Sequence, residues 1–256
     1  MPDITYFVNQ CSDYLLKSSS DEAEKAREYL ISRNLKKETV SRFKIGYCSS
    51  RALIPEEVKS FKKDCNWSDY SCFLNGKVIV PIANEFDEVV AIATRTPSKE
   101  KGHSWWNLPF SKGNNIFLLN KSRESVIKHK KIYIVEGYMD ALTLFQAGLE
   151  NVGALMGTNL TCRHIGLIAR YCNNVCFCFD SDENQSGQNA QQKSIFLINE
   201  FGFVDNLSVI DDLPLGTDPD VFVSQYGLEE FLRAERVLSQ KDIKKICHNV
   251  RAIKKK

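Results

Sequence analysis

The chain predicts an α/β fold, a parallel sheet flanked by helices and preceded by a mixed α+β N-terminal lobe. Two observations carry this. From residue 131 onward, short apolar runs alternate with helix-length stretches, the pattern of strands buried on both faces with crossover helices between them. Before that point the alternation is missing, and two β-branched runs lie next to each other across a short polar segment, as in an antiparallel hairpin.

In the N-terminal lobe, Asp21 and Glu24 mark a helix start, and Ala23, Ala26, Tyr29 and Leu30 recur at helical spacing up to Asn34. A shorter helix is predicted over Glu38–Phe43. Lys77–Ala83 and Glu88–Thr94 read as the hairpin, turning at Asn84-Glu85-Phe86-Asp87. Pro97 to Asn115, rich in Lys, Gly, Ser and Asn and holding the adjacent Trp105 and Trp106, reads as a long loop.

The second half predicts strands at Ile132–Val135, Val152–Met156, Val175–Phe179 and Leu207–Ile210, with helices at Asp140–Ala147, Thr161–Cys172 and Gly187–Phe201 between them. Sheets of this kind bind ligands at the carboxyl ends of their strands. The expected divisions are a lobe over 1–120, an α/β domain over 121–238 and a basic tail over 239–256.

Composition narrows the class. A chain of 256 residues, 43% hydrophobic and 26% charged, falls in the ordinary globular range. Its longest apolar runs, such as Val78–Ile82 and Ile132–Val135, are far shorter than the roughly 20 residues of a membrane helix. The first residues lack the basic-then-apolar order of a secretory signal, so the expectation is a cytoplasmic protein with no membrane partner. Nine cysteines include no C-x-x-C pair, so no zinc is expected. Cys172, Cys176 and Cys178 are expected as buried thiols in a reducing compartment.

Net charge is only +2, but it is unevenly spread: +2 over residues 1–120, −6 over 121–238 and +6 over 239–256. The acidity gathers in the predicted α/β domain. Glu136 directly follows its first strand, and Asp140 is four residues on, one helical turn away. Asp180 and Asp182 end the third strand two residues apart, which points them the same way in extended geometry. Asp218 and Asp220 repeat that spacing after the fourth strand. Acidic residues in such loops are also common as helix caps, and Asp140 or Asp182 alone reads more readily that way. Three pairs at three strand ends favour a metal site. Like charges about 4 Å apart repel by on the order of 4 kcal/mol at an effective dielectric near 20, and divalent cations compensate. Carboxylate oxygens with no His or Cys beside them in sequence suit Mg²⁺ or Mn²⁺, and two such ions support phosphoryl transfer.

Val135-Glu136-Gly137-Tyr138-Met139-Asp140, Leu155-Met156-Gly157-Thr158, Phe179-Asp180-Ser181-Asp182 and Gly216-Thr217-Asp218-Pro219-Asp220 together resemble, in order and spacing, the TOPRIM region of bacterial DnaG-type DNA primases. The Glu-Gly-Tyr-Met-Asp run is the most specific part. Similarity extends upstream through Ser41–Tyr47, Val80-Pro81-Ile82, and Asn107 to Lys112-Gly113, and covers most of residues 20–235.

The resemblance implies an RNA polymerase of the primase type, making short primers on single-stranded DNA from ribonucleoside triphosphates with Mg²⁺ or Mn²⁺. By position, Glu136, Asp140, Asp180, Asp182, Asp218 and Asp220 would be metal ligands, with Glu136, Asp180 and Asp182 catalytic. Arg95, Asn107, Lys112, Gly157 and Thr158 would bind nucleotide or template. Ser104 stands where the family usually has a lysine. The likeness does not extend to the family's zinc-binding or helicase-binding domains, which leaves room for a replicative helicase or a zinc-binding partner in trans and points to a phage or mobile-element host.

Three matters stay open on sequence grounds. A TOPRIM nuclease would use the same carboxylates, and a non-catalytic nucleic-acid-binding module could retain the fold. Trp105 and Trp106 read equally as a base-stacking surface or as plugs at a core edge. The basic tail reads as a phosphate-contacting helix or as a solvated end.

Overall fold

The computed structural model describes residues 2–59, 70–98, 105–181 and 185–253; Ser104, Asp182 and the final three lysines of the tail lie outside the described residues. The chain forms two compact units, Met1–Phe110 and Ser111–Lys256.

The first unit opens with helix α1 (Pro2–Lys17), in a stretch where no element is expected from the sequence. Ile4, Phe7, Val8, Cys11 and Leu15 are buried along it, a 3.6-residue stripe interrupted by polar neighbours. Helix α2 (Asp21–Ser32) starts as expected, capped by Ser20, whose hydroxyl accepts from the Ala23 amide. Then follow α3 (Lys37–Arg42), strand β1 (Gly46–Cys48), and the short helices α4 (Glu56–Lys59) and α5 (Ser71–Leu74). The predicted hairpin is β2 (Lys77–Ala83) and β3 (Val89–Arg95). Its turn is held by Asn84, whose Oδ1 accepts from the Phe86 and Glu88 amides. A two-residue strand β4 (Trp106–Asn107) lies inside the stretch expected to be loop. Among the described residues the antiparallel sheet runs β1-β2-β3-β4.

The second unit contains α6 (Leu119–His129), β5 (Lys131–Val135), α7 (Tyr138–Gln146), β6 (Val152–Ala154), α8 (Cys162–Ala169), β7 (Asn174–Phe177), α9 (Ser186–Phe201), β8 (Asn206–Val209), α10 (Pro219–Arg233), β9 (Arg236–Val237) and α11 (Gln240–Ile253). Strand order is β6-β5-β7-β8-β9. The first four are parallel, as expected; β9 adds an antiparallel edge. Ile132, Ile134, Val175 and Phe177 of the central strands share one core with Ile165 and Ile168 of α8, Ile195 and Ile198 of α9, and Ile243 and Cys247 of α11. The described part of the basic segment is therefore helical, and its apolar side packs into the core that α9 shares.

This strand order positions a site. After β5 the chain crosses to β6 on one side, and after β6 it crosses back to β7 on the other side of β5. Neighbouring connections thus leave in opposite directions between β5 and β7, which opens a crevice at their carboxyl ends, the place where open α/β sheets bind ligands.

Candidate active site

Glu136 follows β5 and Asp180 lies three residues beyond β7, so the two stand across that crevice. Glu136 is buried, and its Oε1 accepts from the Asp180 amide at 3.3 Å. Helix α9 begins directly against them. A Cβ on Gly187 would lie 2.2 Å from the Asp180 carbonyl and 2.8 Å from Glu136 Oε1, so only glycine lets the first turn of α9 approach the pair. Ser181 ties the end of β7 to the loop after β8: its amide donates to Thr217 O at 3.3 Å and its hydroxyl to Leu213 O at 3.3 Å.

Asp140 turns away from Glu136 toward the third acidic segment. Its Oδ2 accepts from the Gly137 amide at 3.1 Å, closing the first turn of α7, and its Oδ1 accepts from the Asp220 amide at 3.2 Å. Asp218 is the N-cap residue of α10 with Pro219 at the first helical position, which carries Asp220 inward to 4% exposure. Burial, then the nearby Asp220 and Asp218 charges, push the Asp140 carboxyl up to about 7, against the lowering effect of the two amides.

The contacts therefore fall into two groups, Glu136 with the Asp180 backbone and Asp140 with Asp218 and Asp220. Among the described residues no three His, Cys, Asp or Glu side chains converge tightly enough to enclose a metal ion. The donor chemistry nevertheless fits a hard divalent cation. Every candidate ligand is a carboxylate oxygen. One oxygen of Asp180 and one of Asp220, Oδ1 in each, is buried and accepts no hydrogen bond, although both residues have other contacts.

The segment after β6 borders the same sheet end. The Leu155 amide donates to Val135 O at 3.0 Å and the Gly157 amide to Glu136 O at 3.2 Å, which places exposed Gly157 and half-buried Thr158 beside the first carboxylate. Lys112 reaches this segment, its Nζ donating to Met156 O at 3.3 Å. Lys112 lies in a 3₁₀ turn (Lys112–Asn114) fastened to the start of α8. Thr161 Oγ1 donates to Gly113 O at 2.7 Å, and Arg163 donates to Asn114 Oδ1 at 2.7 Å. A Cβ on Gly113 would come within 2.9 Å of the Thr161 methyl.

His164, 1% exposed, is the hub of this attachment. Its Nδ1 accepts from the Thr161 amide at 3.3 Å. The proton then resides on Nε2, which donates to Lys112 O at 3.0 Å and Asn115 O at 3.1 Å. Burial holds the imidazole below its ordinary pKa, opposed by the two carbonyls.

In the first unit, Arg95 ends β3, and the β3–β4 register of Ala93 with Asn107 and Thr94 with Trp106 puts Asn107 on the neighbouring strand. Trp106 stacks on Phe73 with centroids 4.4 Å apart and packs against the core of that unit, which settles it as a plug at a core edge. Trp105 instead lies under the Arg95 guanidinium, 5.7 Å from ring centroid to Cζ.

Gly187, Ser181 and His164 were not singled out from sequence. Thr161-x-x-His164 has the spacing of a helix cap, a signal that identifies a helix start and says nothing about the distant 111–115 turn. Gly187 read only as the first residue of a helix.

Residues 133–223 match a family described as Toprim-like, and residues 14–123 match the DNA primase catalytic core, N-terminal domain. The chain is 32% identical over 235 residues to a DNA primase of Clostridium acetobutylicum, covering 83% of this chain and 37% of that protein. The solved zinc-binding and RNA polymerase domains of Aquifex aeolicus primase align with a TM-score of 0.73 at 27% identity, over 91% of this chain and 62% of that one. A DnaG primase catalytic domain solved bound to single-stranded DNA shares the fold, with a TM-score of 0.69 at 24% identity over 91% of this chain and 82% of that one. The chain spans little more than a third of the length of curated relatives such as those of Clostridium and Listeria monocytogenes. With both regions of the catalytic core present in order and superimposing on solved primase cores, the chain belongs to the DnaG-type primase family.

Proposed function

We propose that this chain is a primase core that joins ribonucleotides on a single-stranded DNA template. The observation that carries the reading is the placement of Glu136 and Asp180 across the β5–β7 crevice, with Asp140 after the same strand raised in pKa by its burial and by Asp220 and Asp218. Glu136, Asp180 and Asp182 are assigned as the catalytic carboxylates, and Asp140, Asp218 and Asp220 complete the ligands for Mg²⁺ or Mn²⁺. Bound there, a divalent cation supplies positive charge for an attacking 3′-oxygen and for the departing pyrophosphate. In the reaction a 3′-oxygen–phosphorus bond forms at the α-phosphate, the α–β phosphoanhydride bond breaks, and the hydroxyl proton is released. Lys112, with Gly157 and Thr158 beside it, is assigned to the nucleotide phosphates; Arg95, held against Trp105, and Asn107 are assigned to nucleotide or template.

The test incubates the chain with single-stranded DNA, labelled ribonucleoside triphosphates and Mg²⁺ or Mn²⁺. Short RNA is expected, and Glu136→Gln should lower its yield by roughly 100-fold or more with an unchanged circular dichroism spectrum. Cleaved DNA in place of RNA would replace this reading with a nuclease. Full synthesis by Glu136→Gln would remove the carboxylate pair from the chemistry.

A further inference from the structure

Helix α11 presents two unlike faces. Ile243, Cys247 and Val250 are buried, the first two in the core of the second unit. On the outer face Lys241, Lys244, Lys245 and His248 are exposed at helical spacing. Nearby acids are engaged elsewhere: Asp242 accepts from the Ser239 amide and hydroxyl, and Glu200 pairs with Arg251. This stripe belongs to the +6 segment over residues 239–256, which follows a segment of net charge −6 over residues 121–238.

A groove of about 390 Å³ runs between α9 and α11, lined by glutamine and asparagine amides, Lys245, Asp242, the Arg236–Asp211 ion pair and four aliphatic side chains. Gln188, Gln191 and Asp211 also line the small pocket formed by Phe179, Asp180 and Ser181. Gln188 and Gln191 therefore border both the carboxylate end of β7 and the groove in which Lys245 lies, where the basic stripe begins.

We propose that the α9–α11 groove and the Lys241–Lys244–Lys245–His248 stripe form a contact surface for a single nucleic-acid strand extending from the carboxylate end of the sheet. The inference rests on the proposed function for its occupant. Lysines neutralise phosphates, and glutamine and asparagine amides both donate and accept, which suits a backbone and unpaired base edges. No aromatic ring lines the groove among the described residues, so the surface follows the strand without a stacking platform and with little preference for sequence. A lipid surface does not fit, because the apolar face that would enter it is buried against the protein.

The experiment measures binding of a labelled mixed-sequence single-stranded oligonucleotide by fluorescence anisotropy across a salt series. It compares the unaltered chain, Lys241→Gln/Lys244→Gln/Lys245→Gln, and a control with the same charge change elsewhere on the unit, Lys121→Gln/Lys128→Gln/Arg170→Gln. Each phosphate contact to a single strand contributes about 0.7 to the slope of log affinity against log salt. The α11 variant should therefore bind more weakly at low salt, with a slope shallower by about 2, and the control should retain the slope. Replacing the same three lysines by arginine should restore binding. An unchanged slope in the glutamine variant, an equal loss in the control, or a loss seen only with duplex DNA would overturn the proposal. Assaying the unaltered chain and the α11 variant for transfer alongside separates the two readings: an unchanged slope with RNA still made overturns the surface alone, and a shallower slope with no RNA made overturns the proposed function alone. The binding result stands whether or not transfer is observed.

Discussion

At its amino end β5 brings Lys131 against Glu235; at its carboxyl end it delivers Glu136 to Asp180, next to the buried Asp140. Both ends remove carboxylates from water, with opposite electrostatic results. Burial alone would raise the Glu235 pKa, but hydrogen bonds from Lys131, Ser208 and Tyr133, the last at 2.7 Å, together with the Lys131 charge, bring it below the ordinary value. For Asp140, burial first and then the charges of Asp220 and Asp218 outweigh two backbone amides, and its pKa rises. Local neutralisation at one end marks a carboxylate that joins β5 to the junction of α10 and β9. At the other end burial and neighbouring negative charge go unanswered by any cationic side chain paired with Asp140 among the described residues, which is the feature the proposed cation site rests on.

The largest stability effect tests the uncompensated end. Asp140 titrates near 7 in the fold against an ordinary value near 4, so the folded state holds a proton that the unfolded chain has released. Its contribution is full below the ordinary carboxylate value and is lost as pH rises through about 7. Without divalent cations, thermal stability should therefore fall between about pH 4 and 8, by up to a few kcal/mol from this group. Asp140→Asn should flatten that decline. Mn²⁺ should stabilise the unaltered protein at pH 8, by about 2.7 kcal/mol at 100-fold excess over its Kd, and should do so less in Asp140→Asn. Identical pH profiles for the two proteins would show that Asp140 is no sink for repulsion.

The compensated end should respond to the reverse change. Glu235→Gln leaves Lys131 without its charged partner while keeping the shape, at a cost of about 1–2 kcal/mol given the partial exposure of the group. Cation stabilisation at the other end of the strand should be unchanged. A Glu235→Gln protein that loses its Mn²⁺ response would mean that the two ends are coupled and that their contrast is not functional.

This contrast was only half legible in the sequence. Glu136, Asp140, Asp218 and Asp220 could be placed at strand ends because strand–helix alternation is local and periodic. The pairing of Glu136 with Asp180, and of Asp140 with Asp220, depends on β5 lying between β6 and β7, and strand order leaves no periodic trace. Helix α1 was missed because its apolar stripe is broken by polar residues and follows no capping residue. β4 was missed because two residues have no period, and β9 because Arg236–Val237 are exposed. Glu235 drew no notice as one acid among many in a charged stretch; its partner Lys131 is 104 residues away.

The smallest expected effect concerns the basic side chain that the fold brings to the carboxyl end of the sheet. Lys112 reaches Met156 O from a turn whose carbonyls are held by neutral His164. His164→Gln keeps a donor and an acceptor but not the ring geometry, so it should cost about 1 kcal/mol in stability and speed amide exchange at Gly113–Asn115. If His164 acts through Lys112, its effect on the KM for ribonucleoside triphosphates should largely vanish in a Lys112→Ala background, a coupling of at least about 0.5 kcal/mol. Additive effects would reduce His164 to a fold residue. The pH dependence supplies a second readout with a sign opposite to that of Asp140. Because burial lowers the His164 pKa, its contribution is complete above the ordinary histidine value near 6.5 and is lost as pH falls through the lower folded value, when Nδ1 would gain a proton facing the Thr161 N–H. Amide exchange in the turn should accelerate on acidification in the unaltered protein and lose that acid limb in His164→Gln. The Mn²⁺-dependent change at high pH should persist in both.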